Sequence, residues 1–173
     1  SPLTNQRHEW QSINYDKTGS VGFASGKPVP FVKSQYDEVA ILRAASNLFS
    51  QIEDDLNLQN SELTIASINH IRKLTAVYAV PKLASYDVYG AYLILTLNER
   101  GELVSLKARG VGDRVRDGFT LGENAALNSA RSILTADITS FQSQQVLLPT
   151  ETSTGITLVP AFHLEIQMGI YIL

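Results

Sequence analysis

The chain has 173 residues, of which 44% are hydrophobic, and its formal net charge is −3 at pH 7. A chain of this size buries about 70% of the surface that its unfolded form exposes, so it needs neither disulfides nor metals to hold a core. The acidic balance argues against a nucleic-acid partner, which would favour a basic surface. The absence of cysteine excludes disulfide frameworks, thiolate zinc sites and cysteine nucleophiles. No apolar run approaches the roughly 18 residues needed to span a bilayer.

The N-terminal region differs in character from the rest of the chain. It begins with Ser1-Pro2-Leu3 instead of methionine, which fits either a removed signal peptide or a cut made for expression. Residues 1–33 are polar and interrupted by glycine and proline, yet they contain several aromatic residues, which disordered segments usually lack. We therefore expect an extended arm over residues 1–33 that docks its aromatic side chains on the main body. Those side chains are Trp10, Tyr15, Phe23 and Phe31.

A first helix is predicted over residues 34–56. Ser34 followed by Asp37 forms an acidic variant of the capping box, and negative charge favours the positive end of the helix dipole. Apolar residues then recur at three- and four-residue spacing, which is typical of a helix lying across a sheet. They are Leu42, Ala45, Leu48, Phe49, Ile52 and Leu56. The expected contact joins Leu42, Phe49 and Ile52 to a sheet face that carries Ala91, Leu93 and Leu95.

Three or four antiparallel strands are predicted next, because apolar and polar residues alternate with a period of two. Between the last two, Asn98-Glu99-Arg100-Gly101 supplies a tight turn whose glycine can adopt positive φ. Pro81 lacks an amide proton, so the second strand is expected to end or bulge there. The predicted strands span about Leu63–Asn69, Leu74–Val80, Tyr86–Leu97 and Glu102–Ala108. The segment Arg109–Phe119, with three glycines and mixed charges, is interpreted as a mobile charged loop.

The second half repeats the order of helix followed by strands. Thr120 and Glu123 make a Thr-x-x-Glu capping box, and the apolar side of the helix comprises Ala126, Ala130, Ile133 and Leu134. A polar connection over residues 135–145 leads to a last hairpin with arms Val146–Pro149 and Ile156–Met168. This order predicts an α+β fold of two small lobes, each a helix packed on an antiparallel sheet. The lobes are expected over residues 34–110 and 111–173.

The residues that could support catalysis do not form a recognisable motif. The three histidines, His8, His70 and His163, fall in three different predicted elements, and no His-Glu-x-x-His pattern occurs. No Gly-x-Ser-x-Gly elbow is present. Gly110-Val111-Gly112-Asp113 lacks the later glycine of a phosphate loop and carries an aspartate that would repel phosphate. We therefore expect this chain to contain no catalytic residue, no metal site and no cofactor.

Several segments resemble the propeptides of secreted fungalysin- and thermolysin-type metallopeptidases. The hairpin from Val88 to Leu106 reads VYGAYLILTLNERGELVSL and is the most specific of them. The helix AILRAASNLF and the strand ELTIASI precede it, at residues 40–49 and 62–68. The helix ENAALNSA at 123–130 is similar to the alanine-rich helix of the related PepSY module, and LVPAFHLEI at 158–166 is similar to the strand that follows it.

The resemblance implies a propeptide (FTP) module followed by a PepSY-like module in a secreted, periplasmic or cell-surface protein. In that family the propeptide assists the folding of the peptidase domain and inhibits it until cleavage. The partner would be a metallopeptidase catalytic domain, in cis or in trans. The chain departs from the family at Val80-Pro81, where paired glutamines are common. Since it stops at Ile170-Tyr171-Ile172-Leu173 with no zinc motif, we interpret it as the pro-region of a longer zymogen.

Two exposed aromatic residues near the hairpin, Tyr86 and Tyr89, are the expected contacts with the peptidase, because aromatic residues concentrate binding energy at interfaces. The alternative for both is an ordinary strand residue packed in the sheet. Two other functions stay open. One is a stand-alone exported cystatin-like or PepSY binding module for a peptide, a glycan or a surface protein. The other is a small enzyme whose catalytic residues converge from loops.

Overall fold

Regular secondary structure occupies most of the chain that the computed structural model describes, namely residues 10–15, 21–56, 61–110, 114–115, 118–134, 137–153 and 155–168. These ranges contain ten strands and two helices, a mixed α+β fold that is mostly sheet. The helices are α1 (Glu38–Gln51) and α2 (Glu123–Ile133). The strands are β1 (Trp10–Tyr15), β2 (Val21–Pro30), β3 (Ser61–Ile71), β4 (Leu74–Leu83), β5 (Tyr86–Val88), β6 (Tyr92–Asn98), β7 (Glu102–Arg109), β8 (Arg114–Val115), β9 (Ile138–Thr152) and β10 (Gly155–Met168).

All ten strands belong to one hydrogen-bonded sheet, and β4 is its branching point. The order is β1-β2-β7-β6-β4-β5-β9-β10-β8, with β3 paired to the other edge of β4. Two strands share the remaining edge of β4. It pairs antiparallel with β6 as far as Ala79 and antiparallel with β5 from Lys82 onward. Strand β5 pairs in parallel with β9 through Asp87↔Val146 and Val88↔Leu147. This three-residue strand therefore connects the first part of the sheet to the β9–β10 hairpin.

Helix α1 covers one face of the first part of the sheet and buries the larger of two hydrophobic clusters. Phe49 and Ile52 are buried there together with Leu93 and Leu95, as predicted. The prediction was wrong for Leu42, which is 42% exposed, because Ile41 faces the sheet in its place. It was also wrong for Ala91, which lies in the second cluster. The members of the first cluster from α1 are Ile41, Ala45, Leu48 and Phe49, and Ile52 and Leu56 follow in the turns after the helix, which ends at Gln51 and not at residue 56 as predicted.

The helix begins later than its sequence suggests. Asp37 is the N-cap, and its carboxylate accepts a hydrogen bond from the Ala40 amide at 3.0 Å. The Ser34 hydroxyl instead accepts from the Tyr36 amide at 3.2 Å, in the turn that precedes the helix. The charged side chain of Asp37 thus fulfils the capping role that was assigned to Ser34.

Strands β1 and β2 lie within the region predicted as an arm. They form a hairpin, and β2 pairs with β7 at the edge of the sheet. Docking of aromatic side chains is confirmed for Trp10 and Phe31, which pack on the first cluster. It is wrong for Tyr15 and Phe23, which are exposed. The region contributes Val21 and Ala24 to the core as well, because a strand that extends a sheet places every second side chain on the buried face.

The turn between β6 and β7 has the predicted conformation. Gly101 has φ of +73°, and its amide donates to the Asn98 carbonyl at 2.9 Å. The Asn98 side-chain oxygen accepts from the amides of Arg100 and Glu102, each at 3.0 Å. A Cβ atom on Gly101 would lie 2.5 Å from the Val32 carbonyl oxygen. Both its backbone angle and this close approach therefore require glycine.

The other predicted strands are present in the structure, but they begin or end at different residues. The segment Tyr86–Leu97 is two strands instead of one, because Gly90 turns the chain at φ of +70° between β5 and β6. Strand β4 does not end at Pro81 but continues to Leu83. On the edge of β4 that faces β6 and β5, Pro81 lies between these two partners and pairs with neither, while on the opposite edge it pairs with Leu63 of β3. A missing amide proton is tolerated at such an interruption.

The second half contains more strand than its sequence indicates. Residues 138–145, predicted as a polar connection, form the first half of β9 and pair with β10 in a continuous register from Ser140↔Gln167 to Thr152↔Gly155. Helix α2 begins after Gly122, and no side chain caps it, so the capping role predicted for Thr120 is wrong. Ile133, predicted on its apolar side, is 80% exposed, and Leu127 is the buried residue of the helix. Within the Arg109–Phe119 segment, β8 pairs in parallel with β10, and residues 111–113 and 116–117 lie outside the described ranges.

Candidate functional site

A cleft of about 420 Å³ opens where the first part of the sheet meets the β9–β10 hairpin. The turn after β5, the end of β7 with the following Gly110, and the β9–β10 hairpin surround the cleft. The lining combines aliphatic groups with two side chains of opposite charge. The lining residues are Tyr89, Gly90, Ala108, Arg109, Gly110, Leu148, Pro149, Glu151 and Ile156.

Tyr89, one of the two predicted contact residues, lines this cleft. Its backbone amide donates to the Leu147 carbonyl at 2.8 Å, immediately after the parallel pairing of β5 with β9. Its ring lies 4.8 Å from that of His163 on β10, tilted by 48°. The side chain remains 46% exposed. The ring is thus held on one face by another aromatic group and is open to a partner on the remainder of its surface.

Tyr86, the other predicted contact residue, was expected to be exposed, and that expectation is wrong. Its side chain is half-buried and packs on the second hydrophobic cluster. The ring lies 4.9 Å from that of Phe119, which in turn lies 5.9 Å from Phe162 in an edge-on arrangement. Such pairs stabilise a fold by about 0.5–1.5 kcal/mol beyond the area that they bury. Tyr86 therefore joins β5 to the segment before α2 and to β10.

A group of polar side chains holds β5, the strand immediately before Tyr89. Asp87 on β5 forms an ion pair with Lys82 on β4 at 3.4 Å. Its second carboxylate oxygen accepts from the Gln144 side-chain amide on β9 at 3.0 Å. Gln144 is the register partner of His163. These bonds link β4, β5 and the hairpin at one place, so they set the position of β5 relative to the hairpin beside the cleft.

The histidines do not converge. His70 on β3 bonds the Thr75 hydroxyl at 2.9 Å, while His163 on β10 contacts Tyr89. His8 and Val111–Asp113 of the glycine-rich segment lie outside the described residues. Within the described part of the chain, no group of three or more His, Asp or Glu side chains is placed to hold a metal ion. Neither α1 nor α2 has the length and apolar character to cross a membrane.

Sequence reasoning found Tyr89 but missed the rest of the cleft. Arg109 was placed in a solvated loop, and Pro149 and Ile156 were placed in a hairpin with no role. No motif connects these residues to Tyr89. The β6–β7 hairpin places Arg109 through its pairing with Tyr92, and the pairing of β5 with β9 brings the β9–β10 hairpin, with Pro149 and Ile156, to the same place. No family model matches this chain, and no curated protein matches it. Its function must therefore be inferred from the motifs quoted above and from the geometry of the fold.

Proposed function

We propose that this chain is the pro-region of a secreted zinc metallopeptidase zymogen. It binds its own peptidase domain, assists the folding of that domain and inhibits it until the pro-region is cleaved. The chain itself is non-catalytic and takes no cofactor in this role, because the catalytic zinc belongs to the peptidase domain. Secretion to the periplasm, the cell surface or the medium follows from the same assignment.

The observation that carries this proposal is the order of the elements formed by the quoted segments. Residues 40–49 lie in α1 and residues 62–68 in β3. The most specific segment, Val88–Leu106, runs from the end of β5 through the β6–β7 hairpin. The two PepSY-like segments are found in α2 and β10. Helix, strand, hairpin, helix and strand therefore follow one another as they do in the propeptides that the sequence resembles.

We further propose that the chain consists of two lobes behind its N-terminal region, a cystatin-like FTP lobe over residues 34–110 and a PepSY-like lobe over 111–173. The separation of the core into two hydrophobic clusters favours two lobes, although the first cluster also includes Val21 and Ala24 of the N-terminal region. The first surrounds α1, and the second contains Leu147 of β9 and Leu158 of β10. The second cluster also includes Leu83, Val88 and Ala91 from the first range. The lobes therefore share a packed boundary at β5, beside the cleft that Tyr89 lines.

A pro-region acts on its peptidase by simple mass action. A ligand that binds only the native state stabilises it by about 2.7 kcal/mol at a concentration of 100 times its Kd. A covalent tether raises the effective concentration to around the millimolar range, so even a complex of micromolar affinity is nearly saturated within one chain. After cleavage the tether is lost, and dilution releases the inhibitor.

The test is a titration of the zinc peptidase domain of the same gene product with this chain. We expect slower hydrolysis of a peptide substrate and a higher refolding yield of the denatured peptidase domain. Absence of both effects at tens of micromolar, a large excess for a micromolar complex, would contradict the proposal and favour the stand-alone binding module. A gene product without a zinc peptidase domain would contradict it as well.

Tyr89→Ala is expected to weaken inhibition about 5- to 30-fold, since truncating an aromatic contact at an interface commonly costs 1–2 kcal/mol. The matched control is Tyr15→Ala, because Tyr15 is similarly exposed but lies on β1, at the far edge of the sheet. Inhibition constants of the two variants, measured with the same peptidase, check this expectation. Equal inhibition by both would remove the cleft from the interface while leaving the proposed function intact.

A further inference from the structure

A second groove, of about 470 Å³, lies between α1 and the segment that follows β2. It shares no residue with the cleft that Tyr89 lines. Its walls are mainly apolar, with Phe31 and Val32 on one side and Ala40 and Ala44 of α1 on the other. Lys33 and Arg43 also line it, and both are exposed. The groove thus combines an apolar lining with one cationic side chain from each wall, Lys33 from the segment after β2 and Arg43 from α1.

Both walls of the groove are fixed in place. The Gly101 carbonyl accepts hydrogen bonds from the amides of Phe31 at 3.2 Å and Val32 at 2.9 Å. Farther along the same segment, the buried Gln35 side chain accepts a hydrogen bond from the buried Thr75 hydroxyl at 2.9 Å. The opposite wall is α1, which is anchored in the core by its buried face. A ligand therefore meets a preformed groove and does not have to order it, which lowers the cost of binding.

The two cationic side chains of the groove are available to pair with a ligand. Within the described residues, neither Lys33 nor Arg43 forms an ion pair or a side-chain hydrogen bond. The acid that lines the groove is Asp37, whose carboxylate caps α1 through the Ala40 amide. The groove therefore carries a net positive charge in a chain whose net charge is −3. That arrangement complements a ligand with carboxylates on either side of an apolar group.

We propose that this groove binds an extended peptide segment in which an apolar side chain is flanked by acidic residues. The apolar side chain lies on Phe31, Val32 and Ala44, and the carboxylates pair with Lys33 and Arg43. The site is defined by the chemistry of the peptide that it binds and is independent of the proposed function. Each exposed ion pair contributes little, so binding of an isolated peptide is expected to be weak and sensitive to salt.

The probe is the blocked peptide acetyl-Gly-Asp-Leu-Glu-Gly-amide, titrated to millimolar concentration into the ¹⁵N-labelled full chain. We expect saturable shifts of the backbone amide resonances of Val32, Lys33 and Ala44, which weaken at 0.5 M NaCl. Two control peptides separate the contributions, one with Asn and Gln in place of the acids and one with Ser in place of Leu. Both are expected to bind several-fold more weakly. Equal binding by either control peptide, or shifts scattered over the protein, would overturn the proposal.

The matched variants act on the protein side. Lys33→Gln combined with Arg43→Gln is expected to weaken binding of the acidic peptide about 2- to 30-fold, from two exposed ion pairs. Arg72→Gln combined with Lys73→Gln removes the same charge from the β3–β4 turn and is expected to leave binding unchanged. Because all four positions are exposed, both double variants are expected to fold. Equal loss of binding in the two double variants would show a general charge effect and would contradict a specific site.

Discussion

Replacing Phe49 by alanine is expected to lower the free energy of unfolding by about 3–5 kcal/mol, the usual cost of truncating a buried aromatic residue. Phe49 is 5% exposed and lies in the cluster that joins α1 to the sheet, together with Leu93 and Leu95. Its removal leaves a cavity that the neighbouring strands cannot fill without breaking their ladder. Chemical denaturation followed by circular dichroism measures the change.

The matched control for Phe49→Ala is Leu42→Ala on the same helix. Leu42 is 42% exposed, against 5% for Phe49, and is not part of the buried cluster, so its truncation leaves no enclosed cavity. We expect a change within about 0.5 kcal/mol, as for other surface substitutions. Both variants introduce alanine into α1, so the difference between them in helix propensity is small. A loss for Leu42→Ala as large as that for Phe49→Ala would mean that α1 is rotated relative to the sheet.

The second large effect is expected for Gly101→Ala, at about 2–4 kcal/mol. A residue with a Cβ atom in the left-handed conformation costs about 1–2 kcal/mol, and φ at Gly101 is +73°. The new Cβ atom would also lie 2.5 Å from the Val32 carbonyl oxygen. The segment that carries Phe31 and Val32 would have to move, which weakens its two hydrogen bonds to the Gly101 carbonyl at about 0.5–1.5 kcal/mol each.

Gly90→Ala isolates the backbone contribution to that loss. Gly90 has nearly the same angle, φ of +70°, but a Cβ atom there would have no neighbour within 4 Å. We therefore expect about 1–2 kcal/mol for Gly90→Ala and a larger loss for Gly101→Ala, measured by the same denaturation experiment. Equal losses would show that the segment after β2 moves freely and that the groove beside it is not preformed.

The sequence predicted that α1 has an apolar face, but it did not predict how the helix is rotated about its axis relative to the sheet. Ile41 and Leu42 both fit a three- and four-residue spacing with the later members of the stripe. The buried choice, Ile41, depends on how the helix axis crosses β4 and β6, which is a tertiary property. The N-cap of α1 is Asp37 and not the predicted Ser34, for a related reason. Residues 34–36 form a turn in which Gln35 bonds the buried Thr75 hydroxyl, so the helix cannot begin there.

Strand β9 shows where local pattern fails altogether. Its first half is almost entirely polar, so neither alternation nor β propensity indicates a strand. Pairing along β10 satisfies the backbone groups on one edge of this segment, where alternate residues of a long antiparallel hairpin bond to the partner strand. A strand that buries little on either face carries no hydrophobic signal. Tertiary pairing is then the only information that defines it.

The sequence by itself determined the two helices, the β6–β7 hairpin and its glycine turn, because these depend on residues close together in the chain. Apolar periodicity and turn chemistry report such local energies directly, whereas the predicted cap residue was wrong for both helices. The tertiary structure alone decided the branching of the sheet at β4, the pairing of β5 with β9, and hence the burial of Tyr86 and the exposure of Tyr89. The pairing of β5 with β9 and the placement of Tyr89 depend on contacts between residues some sixty positions apart, and the burial of Tyr86 depends on its contact with Phe119, 33 positions away. Such contacts have no period in the sequence and are fixed by which surfaces pack together when the chain folds.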